Sequence, residues 1–409
     1  MSLVLRALQS PFHSFSRSAT NGDNKDLTGG IFSMFANLSK SGQVVNYQTA
    51  LSLSAVYNAV DQISNDIAKL PKGVFEKVGK NRFRKPEHPV DYLISKRPNA
   101  MMTQFSFHKA LMVSALLRGN GIAVIKRNSY TGFQESFDFI EPDNLNDIRK
   151  KDGKLYYDIK GYRNLLSSED VIHIPGFSFN GVYGISVFKY ATQNLGAALS
   201  SETFADENFK SKGLLAGIIK SDKALKPNPK TMIADAMEHR LSKGGTHNIG
   251  VLDEGMDFMP ITANAQEASL IDWKKISTTD VARWFNIAPH KIKHLENATY
   301  SNIEQQSLEH GSDTIAPWAK RVEEEYDYKL FTEEERINHY VKINTNALIR
   351  TDIKTKGEYY GRSINYGWHT RNEIRNLEDY NSLDGLDEPL TPANTLTLEQ
   401  IEKQFKDEN

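Results

Sequence analysis

Apolar residues recur at helical spacing between residues 51 and 70. In "ALSLSAVYNAVDQISNDIAKLP" every third or fourth residue is apolar, and Pro71 ends the pattern, which predicts one amphipathic helix. The apolar face comprises Leu53, Val56, Val60, Ile63, Ile67 and Leu70. A second helix is predicted over residues 106–119 by "SFHKALMVSALLRG".

Short β-prone runs surround the second helix, in three pairs separated by turn residues. The turns contain Gly79-Lys80, Thr131-Gly132 and Asp152-Gly153. Strands joined by such tight turns pair antiparallel. Residues 45–180 are therefore predicted to form an α+β domain.

The pattern then changes to long helices. Residues 184–213 predict about 28 helical residues, roughly 42 Å at 1.5 Å per residue. The apolar stripe includes Leu195 and Ala198 and is flanked by small residues, which let another helix approach closely. Residues 214–262 predict a small β-α-β-β insert, and a helix returns at 267–285. If the two long helices extend from the main body, the insert at their far end must bury its surface against other chains. The alternative is that the helix at 184–213 is a central core helix of one domain.

The stretch "NATYSNIEQQSLEH" begins another helix. Ser301 and Glu304 have capping-box spacing, so Ser301 is the predicted N-cap, and Gly311 and Pro317 are expected to bend the axis. The apolar stripe comprises Ile303, Leu308, Ile315, Trp318, Val322 and Tyr326, and the polar side comprises Gln305, Gln306, Glu309 and His310. Amides pair well with amides of a neighbouring copy, and a solvated face is the alternative.

Composition excludes several classes of protein. The 409 residues are 39% hydrophobic and 25% charged with a net charge of −1, so any contact with DNA is local. The chain has no cysteine, which excludes disulfides, thiolate metal sites and a cysteine nucleophile. No apolar run approaches the ~20 residues of a membrane span. The basic, serine-rich first twenty residues indicate an arm or partner-binding tail, with a targeting segment as the alternative.

Motifs for catalysis are sparse. His290 and His294 have the i, i+4 spacing of metal ligands, but Pro289 places both in a loop and no H-E-x-x-H is present. The sequence lacks a GxxxxGK[ST] loop and a G-x-S-x-G elbow, so we predict neither an enzyme nor a bound cofactor or metal. Lys291, Lys293 and His294 form a short basic cluster, which is a solvated patch in a monomer and a ring of charge in a closed oligomer.

Seven segments resemble, in order, the signatures of phage portal proteins of the Hong Kong 97 (HK97) type, over about residues 45 to 378. They are "YQTALSLSAVYNAVDQISNDIAKLP", "HPVDYLISKRPNAMMTQFSF", "LLRGNGIAVIKR", "FNIAPHKI", "NATYSNIEQQSLEH", "ALIRTDIKTKGEYY" and "GWHTRNEIR". Two segments depart from the family pattern. Ile287-Ala288-Pro289 stands where many members carry a Pro-Pro pair, and "NLEDYNSLDGLDEP" replaces a short Gly-Leu-Pro-Pro ending.

The resemblance implies an α+β portal fold with an α/β wing, a long-helix stem, a small α/β clip insert and a short C-terminal helical crown. The implied regions are a flexible N-terminal arm (1–29), the wing (30–185), stem helix 1 (186–213), the clip (214–263), stem helix 2 (264–287), the tunnel loop (288–300), the long helix with the second part of the wing (301–385) and a reduced crown (386–409).

The resemblance also implies a role: a ring, typically of twelve subunits, at one capsid vertex of the virion, assembled in the host cytoplasm. The implied partners are other copies of the chain, double-stranded DNA, the terminase large subunit, the major capsid protein and head-completion proteins, with no membrane. The tunnel-loop residues implied to face DNA are His290, Lys291, Lys293, His294, Glu296 and Asn297. The implied subunit-interface residues are Ser301, Glu304, Gln305, Gln306, Leu195 and Ala198, and those of the motor-docking clip are Lys230, Glu238 and Arg240.

Two other functions are consistent with single features of the sequence. A monomeric nucleic-acid-binding module would use Lys291, Lys293, Arg6 and Arg17 and bind DNA with a steep salt dependence. A metal-dependent hydrolase would centre on His290 and His294.

Overall fold

The computed structural model describes residues 37–210, 217–221, 256–260, 278–293, 300–348, 353–378 and 380–390. They belong to two compact units, Met1–Asn344 and Thr345–Asn409. The helices of the first unit are α1 (Tyr47–Leu51), α2 (Ser54–Lys69), α3 (Pro89–Ser95), α4 (Gln104–Arg118), α5 (Phe188–Lys210), α6 (278–285), α7 (Tyr300–Glu309) and α8 (Ala316–Leu330). Within the described ranges, no helix is long and apolar enough to cross a membrane.

The strands of the first unit form small antiparallel sheets. They are β1 (Asn37–Leu38), β2 (Val44–Val45), β3 (Lys72–Val78), β4 (Asn81–Arg84), β5 (Asn120–Arg127), β6 (Gln134–Ile140), β7 (Leu145–Lys151), β8 (Lys154–Ile159), β9 (Leu166–Ser167), β10 (Val171–Pro175), β11 (Gly217–Ser221), β12 (Met256–Pro260) and β13 (His339–Ile343). The sheet orders are β1-β2, β13-β3-β4, β10-β5-β6, β7-β8-β9 and β11-β12.

The three predicted hairpins are present as β3-β4, β5-β6 and β7-β8. Each turn has a residue in the left-handed region, where glycine is unstrained. Asp152 and Gly153 are both left-handed, with φ of 52° and 77°, which is the requirement of a type I′ turn. The apolar core between the second and third hairpins contains Ile122, Val124, Ile148, Tyr157, Ile159 and Val171.

Helix α2 packs against α4 at the centre of the first unit. The predicted apolar face is buried, with Ile63 and Ile67 fully inaccessible. The last carbonyls of α2 have no partner inside the helix and accept from the buried ammonium of Lys72 instead. The distances from Lys72 Nζ are 3.0 Å to Ile67 O, 3.2 Å to Ala68 O and 2.9 Å to Leu70 O. Burial lowers the pKa of Lys72 to about 7.

Helix α8 contacts an edge strand of each of two sheets, β13 and β10. Three of its carboxylates accept hydrogen bonds from backbone N–H groups of these strands: Glu323 from Ile343 (2.7 Å), Asp327 from Val341 (2.6 Å) and Glu325 from His173 (2.9 Å). The acidic residues of α8 therefore satisfy backbone donors that an uncovered sheet edge leaves open. Burial raises the pKa of Asp327 to about 6 and also raises that of Glu325.

Helix α5 begins at Phe188, whereas the sequence pattern predicts a start at Gly184. Gly184 packs so closely on Gly119 that a Cβ on it would lie 1.8 Å from the Gly119 carbonyl oxygen. The Asn120 amide binds the backbone of Gly184 twice, accepting from its N–H at 2.7 Å and donating to its carbonyl at 2.9 Å. These bonds compete with helix formation, so the helix that the sequence pattern predicts from Gly184 starts only at Phe188.

The helix predicted to start after an N-cap at Ser301 begins at Tyr300, so Ser301 is helical and does not cap it. The sequence offers a second hydroxyl residue, Thr299, directly before Tyr300, and a capping pattern alone does not choose between them. The side chains of Ser301 and Glu304 lie outside the described residues.

Helix α7 continues into α8 through a π-helical segment, His310–Ile315. Pro317 has no N–H to donate to the carbonyl of Asp313 four residues earlier. Just before it, the N–H of Ala316 donates to the carbonyl of Gly311, five residues earlier, which is the π pattern. The disturbance predicted near Gly311 and Pro317 is therefore an expanded turn. We call residues 300–330 the long helix.

The second unit contains α9 (Ile353–Asn365) and α10 (Arg371–Leu377). Helix α10 starts with a capping box between Thr370 and Glu373. Asn372 holds the chain after α10 by donating to the carbonyl of Leu383 at 2.8 Å and accepting from its N–H at 2.9 Å. Within the predicted crown, residues 391–409 lie outside the described residues, as does the predicted N-terminal arm.

Candidate functional site

The first part of the predicted tunnel loop packs on the body of the protein. Helix α6 ends at Asn286, whose φ of 50° is left-handed, and Pro289–Ile292 form one 3-10 turn. Ile292 is buried, and this turn contacts α2. A second left-handed residue, Lys293 with φ of 63°, ends the described segment. His294, Glu296 and Asn297 lie outside it.

His290 is bound through both ring nitrogens to the long helix. Its Nδ1 is 2.9 Å from Gln306 Oε1, and its Nε2 is 3.2 Å from Ser307 Oγ. The amide oxygen only accepts, so Nδ1–H donates to it and Nε2 accepts from the serine hydroxyl. Burial lowers the pKa of His290, although the hydrogen bond to Gln306 acts in the opposite direction. The lowered pKa favours the neutral ring. His290, predicted to face DNA, and Gln306, predicted to face a neighbouring copy, therefore already bind each other.

Lys291 and Lys293 occupy the positions that alternate with His290 and Ile292. Lys291 is half-buried and Lys293 is exposed. Neither forms an ion pair with another residue in the described part of the chain. In this turn His290 is bound to the long helix and Ile292 is buried, whereas Lys293 is exposed and Lys291 is half-buried.

A second connection joins this segment to the π-helical turn. Asn286 Nδ2 donates to the carbonyl of Asp313 at 3.0 Å, which is the carbonyl that Pro317 leaves without its usual helical partner. The hydroxyl of Thr314 donates to the carbonyl of Asn286. The end of α6 is therefore fixed to the long helix by bonds in both directions.

The π-helical turn is in turn fixed to α2 by a buried ionisable pair. His310 Nε2 lies 2.8 Å from Asp66 Oδ2, and both side chains are at most 2% exposed. Asp66 also accepts from Gln62 at 3.0 Å and from Lys69 at 2.5 Å. Burial alone raises the pKa of Asp66, but the hydrogen bonds from His310, Lys69 and Gln62 outweigh it and lower the pKa to about 2.

The arrangement has the features of a structural support. Both nitrogens of His290 have protein partners, and the other candidate metal ligand, His294, is outside the described segment. Among the described residues, no group of three or more His, Asp or Glu side chains is arranged to hold a metal ion. What the geometry provides is a basic turn on a fixed base.

A family model described as Phage portal protein matches residues 54–379. The chain belongs to the phage portal protein family. Two curated relatives agree: the probable portal protein of Streptomyces phage phiC31 is 26% identical over 371 residues, covering 85% of this chain and 79% of the relative. The portal protein of Enterobacteria phage HK97 is 24% identical over 364 residues, covering 87% and 85%.

Solved structures confirm the α+β portal fold. An HK97-family phage portal protein from Corynebacterium diphtheriae has a TM-score of 0.52 at 16% identity, covering 77% of this chain and 97% of that one. A chain in the neck of an empty gene transfer agent (GTA) particle, computed with C6 symmetry, has a TM-score of 0.58 at 20% identity, covering 87% and 100%. A chain in the neck of the native particle, computed with C12 symmetry, has a TM-score of 0.53 at 18% identity, covering 87% and 99%. The matches to the HK97 portal protein and to an HK97-family structure agree with the resemblance to HK97-type portal proteins predicted from the sequence.

In this portal protein, Leu195 and Ala198 are buried within their own chain. Helix α5 contacts α1, β1 and β2, and Gly196 permits the approach because a Cβ there would lie 2.2 Å from Ser39 Cβ. Their burial is therefore explained without a neighbouring subunit, and their place in an interface stays a prediction. The exposed side of α5 carries Tyr190 instead.

The other predicted contact residues are only partly described. Gln305 is exposed and lies 3.4 Å from Glu309 of the same helix. Of the predicted clip, the paired strands β11 and β12 are described, with Ile219 opposite Phe258. The predicted motor-docking residues Lys230, Glu238 and Arg240 lie outside the described residues.

Sequence reasoning missed three residues that hold the loop's base: Asn286, Ser307 and Asp66. Asp66 could have been found from the sequence, because it is an ionisable residue next to Ile63 and Ile67 on the predicted apolar face of α2, and a buried charge needs a partner. Asn286 and Ser307 are polar residues among other polar residues, and their partners are 27 and 17 positions away.

Proposed function

We propose that this portal protein forms a ring of twelve copies at one vertex of a phage capsid, with a central channel through which double-stranded DNA enters and leaves the virion. The observation that carries the proposal is the family match over residues 54–379. This range includes most of the proposed wing and all of the proposed stem helices, clip and tunnel loop. The related neck chain solved with C12 symmetry supports the number of copies. The ring assembles in the host cytoplasm.

In this ring the tunnel loop faces DNA, with Lys291 and Lys293 as its first cations. Each phosphate that a protein neutralises makes binding tighter and more dependent on salt. A heavily basic lining would therefore hold DNA in place, whereas two lysines per subunit on a chain of net charge −1 leave the contact weak enough for sliding. His294, Glu296 and Asn297 complete the proposed DNA-facing loop.

The remaining partners follow from the same role. The clip, with Lys230, Glu238 and Arg240, docks the terminase large subunit, which supplies the energy for packaging. The ring nucleates assembly of the major capsid protein and later binds head-completion proteins. Ser301, Glu304 and Gln305 face the neighbouring subunit. The protein needs no cofactor and catalyses no reaction in this proposal.

Imaging tests the ring directly. Purified protein should show rings with a central hole in negative stain, and native mass spectrometry should give the mass of twelve chains. A protein that stays monomeric at every concentration, with no annular particles, would overturn the proposal.

The loop and the clip are tested in packaging. Changing Lys291→Ala together with Lys293→Ala should leave rings intact and alter the retention of packaged DNA. The control is Lys320→Ala, because Lys320 is exposed on α8 and forms a surface ion pair with Glu324 one helical turn away. For the clip, Arg240→Glu should give normal rings that package no DNA, and normal packaging would contradict that assignment.

A further inference from the structure

The base of the tunnel loop is tied to the long helix at separate points, all within one protomer. Asn286 binds the π-helical turn at Asp313 and Thr314, and His290 binds Gln306 and Ser307 three residues before that turn. Ile292 adds an apolar contact, since it is only 6% exposed. Lys293, with a left-handed φ of 63°, directly follows Ile292.

We propose that His290 is a positioning residue: by binding Gln306 and Ser307 it fixes the turn that carries Lys291 and Lys293, and so sets where these two ammonium groups meet DNA in the channel. This inference rests on the proposed function. The resemblance in the sequence implies that His290 itself contacts DNA. The inference assigns it a different task, which is to hold the turn that carries the two lysines.

The chemistry of the imidazole fits this task. Its two nitrogens, one donating and one accepting, reach two consecutive residues of one helix, so the ring is restrained in position and in orientation. Within the turn, the N–H of Lys293 donates to the carbonyl of His290 at 3.1 Å, and that of Lys291 donates to Ala288 at 2.9 Å. A restraint on His290 is therefore passed to Lys293 through this hydrogen bond, and to Lys291 through the peptide bond that joins it to His290.

The absence of cysteine allows a direct measurement of this restraint. Lys293→Cys introduces a single thiol for a nitroxide spin label, and the electron paramagnetic resonance line shape gives the ratio of restrained to released label in assembled rings. Adding His290→Ala should lower this ratio about tenfold, the factor expected from losing one or two hydrogen bonds. The label at Lys320→Cys, on the exposed side of α8, should be unaffected.

A second set of variants distinguishes positioning from general damage. Gln306→Ala with Ser307→Ala should reproduce the His290→Ala spectrum, and adding His290→Ala to that pair should change nothing more. In a salt titration of duplex DNA binding to the rings, His290→Ala should lower the slope as much as Lys293→Ala does. A role in stability alone would leave the salt slope unchanged.

The outcomes separate this inference from the proposed function. If rings of His290→Ala show the wild-type line shape and the wild-type salt slope, the positioning role is wrong and the proposed ring is unaffected. A wild-type protein that forms no rings overturns the proposed function, and the line shape still tests the anchor in the single chain. Should His290→Ala fail to fold, His290→Gln keeps a donor for Gln306 and should give an intermediate ratio; a wild-type ratio would again contradict the inference.

Discussion

Replacing Asp66 by Asn tests the buried connection between α2 and the π-helical turn. Asp66 uses both carboxylate oxygens, one for Lys69 and the other for His310 and Gln62. The Asn side chain places an NH₂ group where one of these oxygens was, so at least one buried donor faces another donor. A donor left without an acceptor in the interior loses its hydrogen bond and stays desolvated.

The pKa of Asp66 sets the magnitude. Its shift from 3.8 to about 2 corresponds to about 2 kcal/mol of stability at neutral pH, at 1.36 kcal/mol per unit. Removing one partner of a buried pair costs roughly 3–5 kcal/mol. We therefore expect Asp66→Asn to lower the free energy of unfolding by about 2–4 kcal/mol. The control is Asp61→Asn on the same helix, whose 2.7 Å pair with Lys109 is about one-third exposed; it should cost under about 1 kcal/mol.

Urea unfolding followed by circular dichroism measures the difference at each pH. The folded pKa of Asp66 is below the unfolded value, so its contribution is complete above about pH 4 and is lost as pH falls through about 2. The gap between wild type and Asp66→Asn should therefore narrow over that range. Equal stability of Asp66→Asn and Asp61→Asn at pH 7, or a gap that persists at pH 2, would refute the reasoning.

Three further predictions concern single residues. Asp327→Asn should raise stability at pH 7 by about 1 kcal/mol, after allowance for partial exposure. The folded pKa of Asp327 is raised to about 6, so the advantage should fade towards pH 4 in thermal melts. Gly196→Ala should lower the free energy of unfolding by about 1–3 kcal/mol, because the added methyl clashes with Ser39, and Ser39→Gly should partly restore it. Wild-type stability should rise from pH 7 towards pH 10, because burial lowers the pKa of Lys72 to about 7, and Lys72→Met should remove this rise; an unchanged rise would exclude Lys72 as its source.

Local chemistry in the sequence was sufficient for most helices and hairpins. Helix α2 is predicted by the apolar spacing that ends at Pro71. The β7-β8 hairpin is predicted by Asp152-Gly153, a residue pair that readily adopts the left-handed conformation of a type I′ turn. These elements depend on residues within a few positions of one another. The order of the elements along the chain and the α+β class were therefore predictable.

Contacts between distant residues decided what the sequence pattern missed. The start of α5 moved because Asn120 binds Gly184, 64 positions away. The predicted stripe on the long helix assumed one unbroken period, but the π-helical turn adds a residue and rotates the face. Leu308 is therefore 42% exposed, while His310, assigned to the polar side, is 3% exposed.

In the proposed function, the tunnel loop must meet a general requirement of a channel that carries a moving polyanion. Contacts with DNA must be weak, because strong ones stop the movement, whereas the group that makes them must be held firmly, because an unrestrained cation would follow the phosphates as they pass. The turn fits both requirements: His290 and Ile292 bind the protein, Lys293 is exposed, and neither Lys291 nor Lys293 forms an ion pair with another described residue. The support for this turn comes from inside one protomer, so in the proposed ring each subunit could present its lysines in the same position before the ring closes.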